Sequence, residues 1–198
     1  MKFDHMVGLL LGFAASTEVV EYPYAVGPQQ PHGQLNPAAP KQLADFQPMI
    51  GSASCESVVR VDQQTWAEPV AMTWVFQYIM NGMAVQDITL KADGGHSGSI
   101  RQYDVANEQW NIHYFSTSTP TPQLPVWTGG KAGERLVFWR EQAAPNGMSG
   151  HYRLTFYDMT ASGYRWIGEW VSEDLSITYP TWKINCKKVI DVANHSSP

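Results

Sequence analysis

The sequence has little charge. Lys and Arg total 13 and Asp and Glu total 18, so charged residues make up only 16% of 198 residues and the formal net charge is −5. The absence of a dense basic stripe argues against a sequence-independent nucleic-acid binder and against a surface for anionic lipid. Apolar residues reach 43% and aromatic residues 12%, which argues against intrinsic disorder. The length suits one compact domain.

Long hydrophobic runs are also absent. The apolar run at residues 6–15 is too short to span a bilayer, so no stable membrane insertion is predicted. It follows Lys2 and ends in Ala14-Ala15-Ser16, which is typical of a secretory signal peptide covering residues 1–16. Asp4 weakens the cationic start of that segment, and an apolar arm of a cytoplasmic protein is the alternative. The prediction is a secreted or periplasmic protein.

Only two cysteines are present, Cys55 and Cys186. They fall near the start of the first predicted strand and in the last one, and these two strands become neighbours if the sheet closes into a barrel. An exported chain can hold a disulfide between them. Two free, buried cysteines are the other possibility.

Helical periodicity is missing after Phe46. From Gly51 onward, short runs alternate with a period of two residues, and clusters of Gly, Asn, Asp and Pro separate them. A long antiparallel meander buries its apolar faces best by closing, so the prediction is all-β: a single closed antiparallel up-and-down β-barrel. The nine predicted strands are residues 55–61, 70–80, 84–91, 99–103, 110–116, 135–140, 151–158, 164–171 and 181–189.

The chain divides around this barrel. Residues 17–48 are rich in Pro and Gln and predict an extended N-terminal arm, with one helical turn over residues 40–46. The barrel covers residues 49–190, and residues 191–198 form a tail. The connection at residues 116–127 carries three prolines and Trp127. It is either a flap over the barrel mouth or a stiff loop with Trp127 packed on the rim.

Five segments of the sequence resemble a known family. In their order and spacing they are similar to a mostly bacterial family of lipocalin-like proteins of unknown function in the calycin group, over roughly residues 43–189. The resemblance implies an up-and-down barrel with a central cavity and implies no activity. Ala53 stands where the family tends to have Trp, which leaves the packing of the closed end open. The segments are DFQPMIG (45–51), CES (55–57), MNGMAVQD (80–87), IRQYD (100–104) with Trp110, and TFYDMT (155–160) with Trp166.

Metal and cofactor sites have weak support. The six His residues are scattered, with no short-spaced pair, so no metal site and no cofactor are predicted. Haem held by His113 or His151 is a disfavoured alternative, because a lone strand His is usually just hydrogen-bonded.

Ionisable residues inside predicted strands are more informative, since a charge facing a barrel lumen must be paired or solvated. Asp87, Arg101 and Glu169 are such residues. If Asp87 and Arg101 both point inward, their pair either orients a polar ligand group or fastens the barrel. His113, which shares a strand face with Asn111, is a candidate acid or base in the same cluster.

Aromatic stripes complete the candidate site. One face of the second strand carries three aromatic rings, and the pairs Trp110 with Tyr114 and Trp166 with Trp170 each share a face. Such stripes line a pocket for a planar or apolar small molecule, or they form a simple core. The predicted ligand-binding residues are Trp74, Phe76, Tyr78, Asp87, Arg101, Trp110, His113, Trp166 and Glu169.

The predicted function is binding of a small hydrophobic or aromatic molecule, with the oligomeric state left open. A first alternative is an acid-base enzyme in the lumen, an isomerase, cyclase or hydratase, that uses Asp87, Arg101, Tyr103 and His113. A second is a structural or interaction protein whose barrel is filled solid.

Overall fold

The computed structural model describes residues 21–189 and contains ten strands after a single 3-10 helix, Lys41–Met49. The predicted signal peptide at residues 1–16 and the tail at 191–198 lie outside the described residues. The strands are β1 (Gly51–Val59), β2 (Val70–Ile79), β3 (Ala84–Lys91), β4 (Ser97–Asp104), β5 (Gln109–Ser116), β6 (Val126–Ala132), β7 (Arg135–Glu141), β8 (Gly150–Thr160), β9 (Gly163–Ser172) and β10 (Thr178–Lys188).

The strands form one closed antiparallel barrel. Each strand pairs with the next along the chain, and β1 pairs with β10 to close the sheet. This confirms the predicted all-β, up-and-down barrel, and the closed architecture is compatible with a lipocalin-like fold. Closure leaves every strand paired on both sides, so the barrel has no sheet edge along its wall.

A disulfide crosses the seam between β1 and β10. Cys55 and Cys186 lie directly opposite each other in the strand register, and both are buried. Of the two possibilities that the sequence leaves open, the disulfide is therefore present and the alternative of two free thiols is wrong. The bond joins residues separated by 131 positions in the sequence.

The strand β6 is a correction to the sequence prediction. The sequence predicts an irregular connection over residues 116–127 and no strand from there to residue 135, but Val126–Ala132 is a strand and Trp127 is buried. Gly129 lies inside this strand, where a side chain would meet the backbone of Val137 on β7. Glycine thus marks a close approach of two strands here and not a turn.

The described part of the N-terminal arm packs beneath the barrel. It is tied to the β2–β3 turn, where Tyr24 N donates to Asn81 Oδ1 at 2.9 Å and the Asn36 side chain donates from Nδ2 to Asn81 O at 3.0 Å. The predicted helical turn is confirmed as the 3-10 helix. This helix brings the arm to the end of the barrel at which β1 begins and β2 ends.

The 3-10 helix closes that end of the barrel. Leu43, Phe46 and Met49 recur every three residues, which places them on one face of a helix with three residues per turn. All three side chains are fully buried in the barrel core. Within residues 21–189, no helix has the length and apolar character needed to cross a membrane.

Candidate ligand cavity

The barrel interior has two parts, and the first is a packed floor half around Phe46. The Phe46 ring lies 4.8 Å from the Trp110 ring, 6.3 Å from Phe76 and 6.2 Å from Phe138, measured between centroids. Tyr78 Oη donates to Leu43 O at 3.3 Å, which fixes the helix to β2. Residues from the arm therefore fill the closed end, and Ala53 is buried in the same core.

The second part is the mouth half, which contains a cavity of about 350 Å³. This volume lies at the small end of the range of roughly 300–1,000 Å³ that is usual for small-molecule sites. Its wall combines large apolar rings with a few polar and charged groups. The lining includes Met72, Trp74, Ile112, Trp127, Leu154, Phe156, Trp166, Trp182 and Ile184, together with Asp87, Thr89, Lys91, Ser97, Ser99, Arg101, Tyr114, Arg140, Gln142 and Tyr152.

An Asp87–Arg101 ion pair lies at the boundary between the two halves. Both side chains point inward and are almost fully buried. Asp87 accepts hydrogen bonds from Arg101 Nη1, from Ser99 Oγ and from Trp74 Nε1, the last at 2.6 Å. Three donors thus compensate the buried carboxylate, as a charge in a low-dielectric interior requires.

Arg101 also packs against aromatic rings of the floor half. Its Cζ atom lies 5.1 Å from the Phe46 ring centroid and 4.9 Å from that of Phe76, within reach of cation–π attraction. The pair with Asp87 balances its charge. This geometry ties β3, β4 and the 3-10 helix together, which favours the fastening role over the ligand-orienting one.

The other predicted site residues that point inward lie partly in the mouth half and partly in the floor half. Trp74 and Trp166 line the cavity. Phe76, Tyr78 and Trp110 pack around the 3-10 helix in the floor half, outside the cavity lining. Tyr103, another candidate for acid-base chemistry, also lies there, with its ring 5.6 Å from Trp110.

His113 and Glu169 lie on the other face of the wall. Ile112 and Tyr114 line the cavity, so the alternation of β5 turns His113 to the outside. On β9 the same alternation turns Glu169 away from Trp166 and pairs it with Arg153 at 2.8 Å. The expectation that these two side chains join the lumen cluster is corrected by this geometry.

Several cavity residues were absent from the sequence prediction. Trp127 and Arg140 belong to β6 and β7, and Trp182 belongs to β10. A signal for Arg140 exists in the sequence, because it follows Leu136 and Phe138 at spacings of two on a strand. Both of those residues are buried, so Arg140 is predicted by alternation to face inward with them.

Burial shifts the titration of the phenols near the lumen. It raises the pKa of Tyr152, although a hydrogen bond of 2.7 Å with Thr181 Oγ1 partly opposes this. Burial, followed by the nearby Asp87 carboxylate, raises the pKa of Tyr164 far above its usual range. These phenols are therefore neutral at physiological pH. At the mouth, the hydrogen bond from Lys91 lowers the pKa of Asp93.

In the part of the chain that the structure describes, no three His, Cys, Asp or Glu side chains are grouped so that they could hold a metal ion.

No protein-family model matches the sequence. A search of curated proteins finds none that matches it either. The fold and the site thus define the class: a closed β-barrel with an internal cavity that can hold a ligand.

Proposed function

We propose that the protein is a lipocalin-like binding protein that holds a small molecule with an apolar or aromatic body in the mouth half. The observation that carries the proposal is the cavity of about 350 Å³ with aromatic walls, placed directly above a floor half that is packed solid. Sites for small organic molecules typically combine such walls with a few fixed polar groups.

Trp74 and Trp166 provide the main aromatic surfaces, and Ile112, Leu154 and Phe156 complete the apolar part of the wall. Aromatic rings offer large areas for dispersion contacts and prefer edge-on or offset contacts with a planar guest. Trp74 is held in place by its hydrogen bond to Asp87, so this surface is preorganised.

The observations favour binding over catalysis. His113 faces outward, and the Asp87 oxygens already accept three hydrogen bonds. An acid-base group must reach the reacting proton, and a buried carboxylate that already accepts three hydrogen bonds, one of them from Arg101, is poorly placed to do so. The alternative of a barrel filled solid agrees with the floor half only, because the mouth half contains the cavity.

We also propose that the protein acts outside the reducing cytoplasm, in a secreted or periplasmic location. The Cys55–Cys186 disulfide supports this, because cytosolic thiols are normally kept reduced. The signal-like sequence of residues 1–16 agrees with it.

Titration with N-phenyl-1-naphthylamine, a neutral aromatic dye, tests the binding proposal. The dye is expected to bind saturably and to quench tryptophan fluorescence. The variant Leu154→Trp adds bulk inside the cavity and is expected to abolish binding. The matched variant Leu90→Trp places the same ring at an exposed position of the outer wall and is expected to bind like the wild type.

Circular dichroism and thermal unfolding establish that both variants are folded. The proposal fails if the dye does not bind to the wild type, or if folded Leu154→Trp binds it as well as Leu90→Trp does.

A further inference from the structure

The charges in the mouth half do not cancel. Three cations line the cavity, and two of them have acidic partners, since Arg101 pairs with Asp87 and Lys91 pairs with Asp93 at 2.8 Å. Among the described residues, no acidic side chain pairs with the third cation, Arg140. The cavity of a protein with net charge −5 is therefore locally positive.

Arg140 lies beside a second hydrogen-bond donor. Its Cζ atom is 4.9 Å from the centre of the Trp127 ring. Trp127 is only 7% exposed, and its Nε1 has no hydrogen-bond partner among residues 21–189. A buried donor without an acceptor is costly, so an indole N–H in this position is suited to an acceptor that a ligand supplies.

The barrel wall fixes these two side chains together. The register of β6 and β7 pairs Thr128 with Trp139, so Trp127 and Arg140 are the next residues toward the mouth on adjacent strands. The Tyr114 and Tyr152 rings pack edge-on against Trp127, with centroids 6.0 and 6.5 Å away. Arg140 and the Trp127 ring are thus held together on one wall of the cavity.

We propose that the ligand is an organic anion, such as a carboxylate or sulfonate on an apolar body, and that its acidic group binds to Arg140 and Trp127 Nε1. This inference rests on the proposed function and adds the ligand class and the orientation. The apolar body extends from this wall toward Trp74 and Trp166. The acidic group receives charge-assisted hydrogen bonds, which are about twice as strong as neutral ones.

A matched pair of dyes tests the proposal. The anionic dye 8-anilino-1-naphthalenesulfonate carries the same ring system as neutral N-phenyl-1-naphthylamine plus a sulfonate. In Arg140→Gln, we expect affinity for the anionic dye to fall about tenfold or more and affinity for the neutral dye to change by less than about twofold. The control Arg165→Gln removes an exposed cation of the outer wall and is expected to change neither affinity.

Trp127→Phe provides a second variant that keeps Arg140 and most of the ring. It removes the indole N–H together with part of the ring, and we expect about fivefold weaker binding of the anionic dye with unchanged binding of the neutral dye, which controls for the lost ring area. This variant decides the matter if Arg140→Gln does not fold.

The possible outcomes separate the two proposals. If the anionic dye binds equally well to wild type and to both variants, the anion site is overturned while binding in the cavity stands. If Arg140→Gln weakens both dyes equally, Arg140 shapes the cavity and does not recognise charge, which also overturns the inference. If the neutral dye does not bind to the wild type, the proposed function itself fails.

Discussion

The floor half and the mouth half of this barrel share one wall but have different interiors. In the floor half, Leu43, Phe46 and Met49 from outside the barrel fill the lumen, and aromatic rings surround them. In the mouth half, inward positions carry charged and polar side chains around a cavity. The comparison teaches that the packed core and the cavity lie at different ends of one barrel. A packed floor supplies the core that lets the other end remain hollow.

The sharpest test of this division is a pair of truncations. Phe46→Ala removes the ring at the centre of the floor half and is expected to lower the free energy of unfolding by about 3–5 kcal/mol, through lost burial and a new cavity. Leu154→Ala only widens a cavity that exists, so the expected loss is about 1–2 kcal/mol. Guanidinium unfolding curves give both values. Equal losses would contradict the division between the two halves.

Removing the disulfide tests how much the seam between β1 and β10 contributes to the stability of the barrel. Replacing Cys55 and Cys186 by Ala is expected to lower the free energy of unfolding by about 2–4 kcal/mol, because the bond constrains a long loop in the unfolded chain. Binding of the neutral dye is expected to persist, since neither residue lines the cavity.

Thiol titration of the denatured, unreduced protein is the accompanying measurement, with no free thiol expected from Cys55 or Cys186. Finding both thiols free would remove the disulfide and, with it, the support for a location outside the reducing cytoplasm.

The smallest expected effect is a loss of stability at alkaline pH, caused by Tyr78 in the floor half. Burial raises the pKa of Tyr78 to about 12. Below pH 10, the usual pKa of tyrosine, the phenol is protonated in both states and its contribution to stability is complete. As the pH rises toward 12, the unfolded state releases this proton before the folded state does, so stability falls.

Tyr78→Phe is therefore expected to lose less stability than the wild type between pH 10 and 12, measured by chemical unfolding at each pH. The variant starts from a slightly lower stability, because it lacks the hydrogen bond to Leu43 O. An identical alkaline decline in both proteins would contradict the role of this phenol.

Much of the wall was predictable from two-residue periodicity. Alternation and turn residues located nine of the ten strands, and closure of the meander correctly brought Cys55 beside Cys186. The sequence left the inward direction of Asp87 and Arg101 as a condition, and the structure shows both pointing inward as an ion pair.

The predictions that the structure corrects, strand β6 and two site residues, have identifiable physical causes. Prolines before Val126 and glycines inside β6 hide a strand, because both residue types usually mark loops. The two misplaced site residues conflict with alternation itself: His113 lies three positions after Trp110, and Glu169 lies three positions after Trp166. Residues three apart on a strand face opposite sides, so neither could share the lumen with its aromatic neighbour.

The packing of the floor half was less accessible from sequence. Nothing local indicates that the helical turn of the arm enters the barrel, since its contacts are with residues distant in the sequence, such as Trp110 and Phe138. The spacing of Leu43, Phe46 and Met49 is the available signal, and it acquires meaning only once the helix is known to be of the 3-10 type.

The pairing of β1 with β10 has a consequence for biogenesis. During synthesis, β1 emerges early and waits for the last strand, Thr178–Lys188, before its second hydrogen-bonding side is covered. Until then β1 and β9 present open edges that can recruit strands from other nascent chains. Late closure of this kind favours folding at low chain concentration, where open edges of two chains rarely meet.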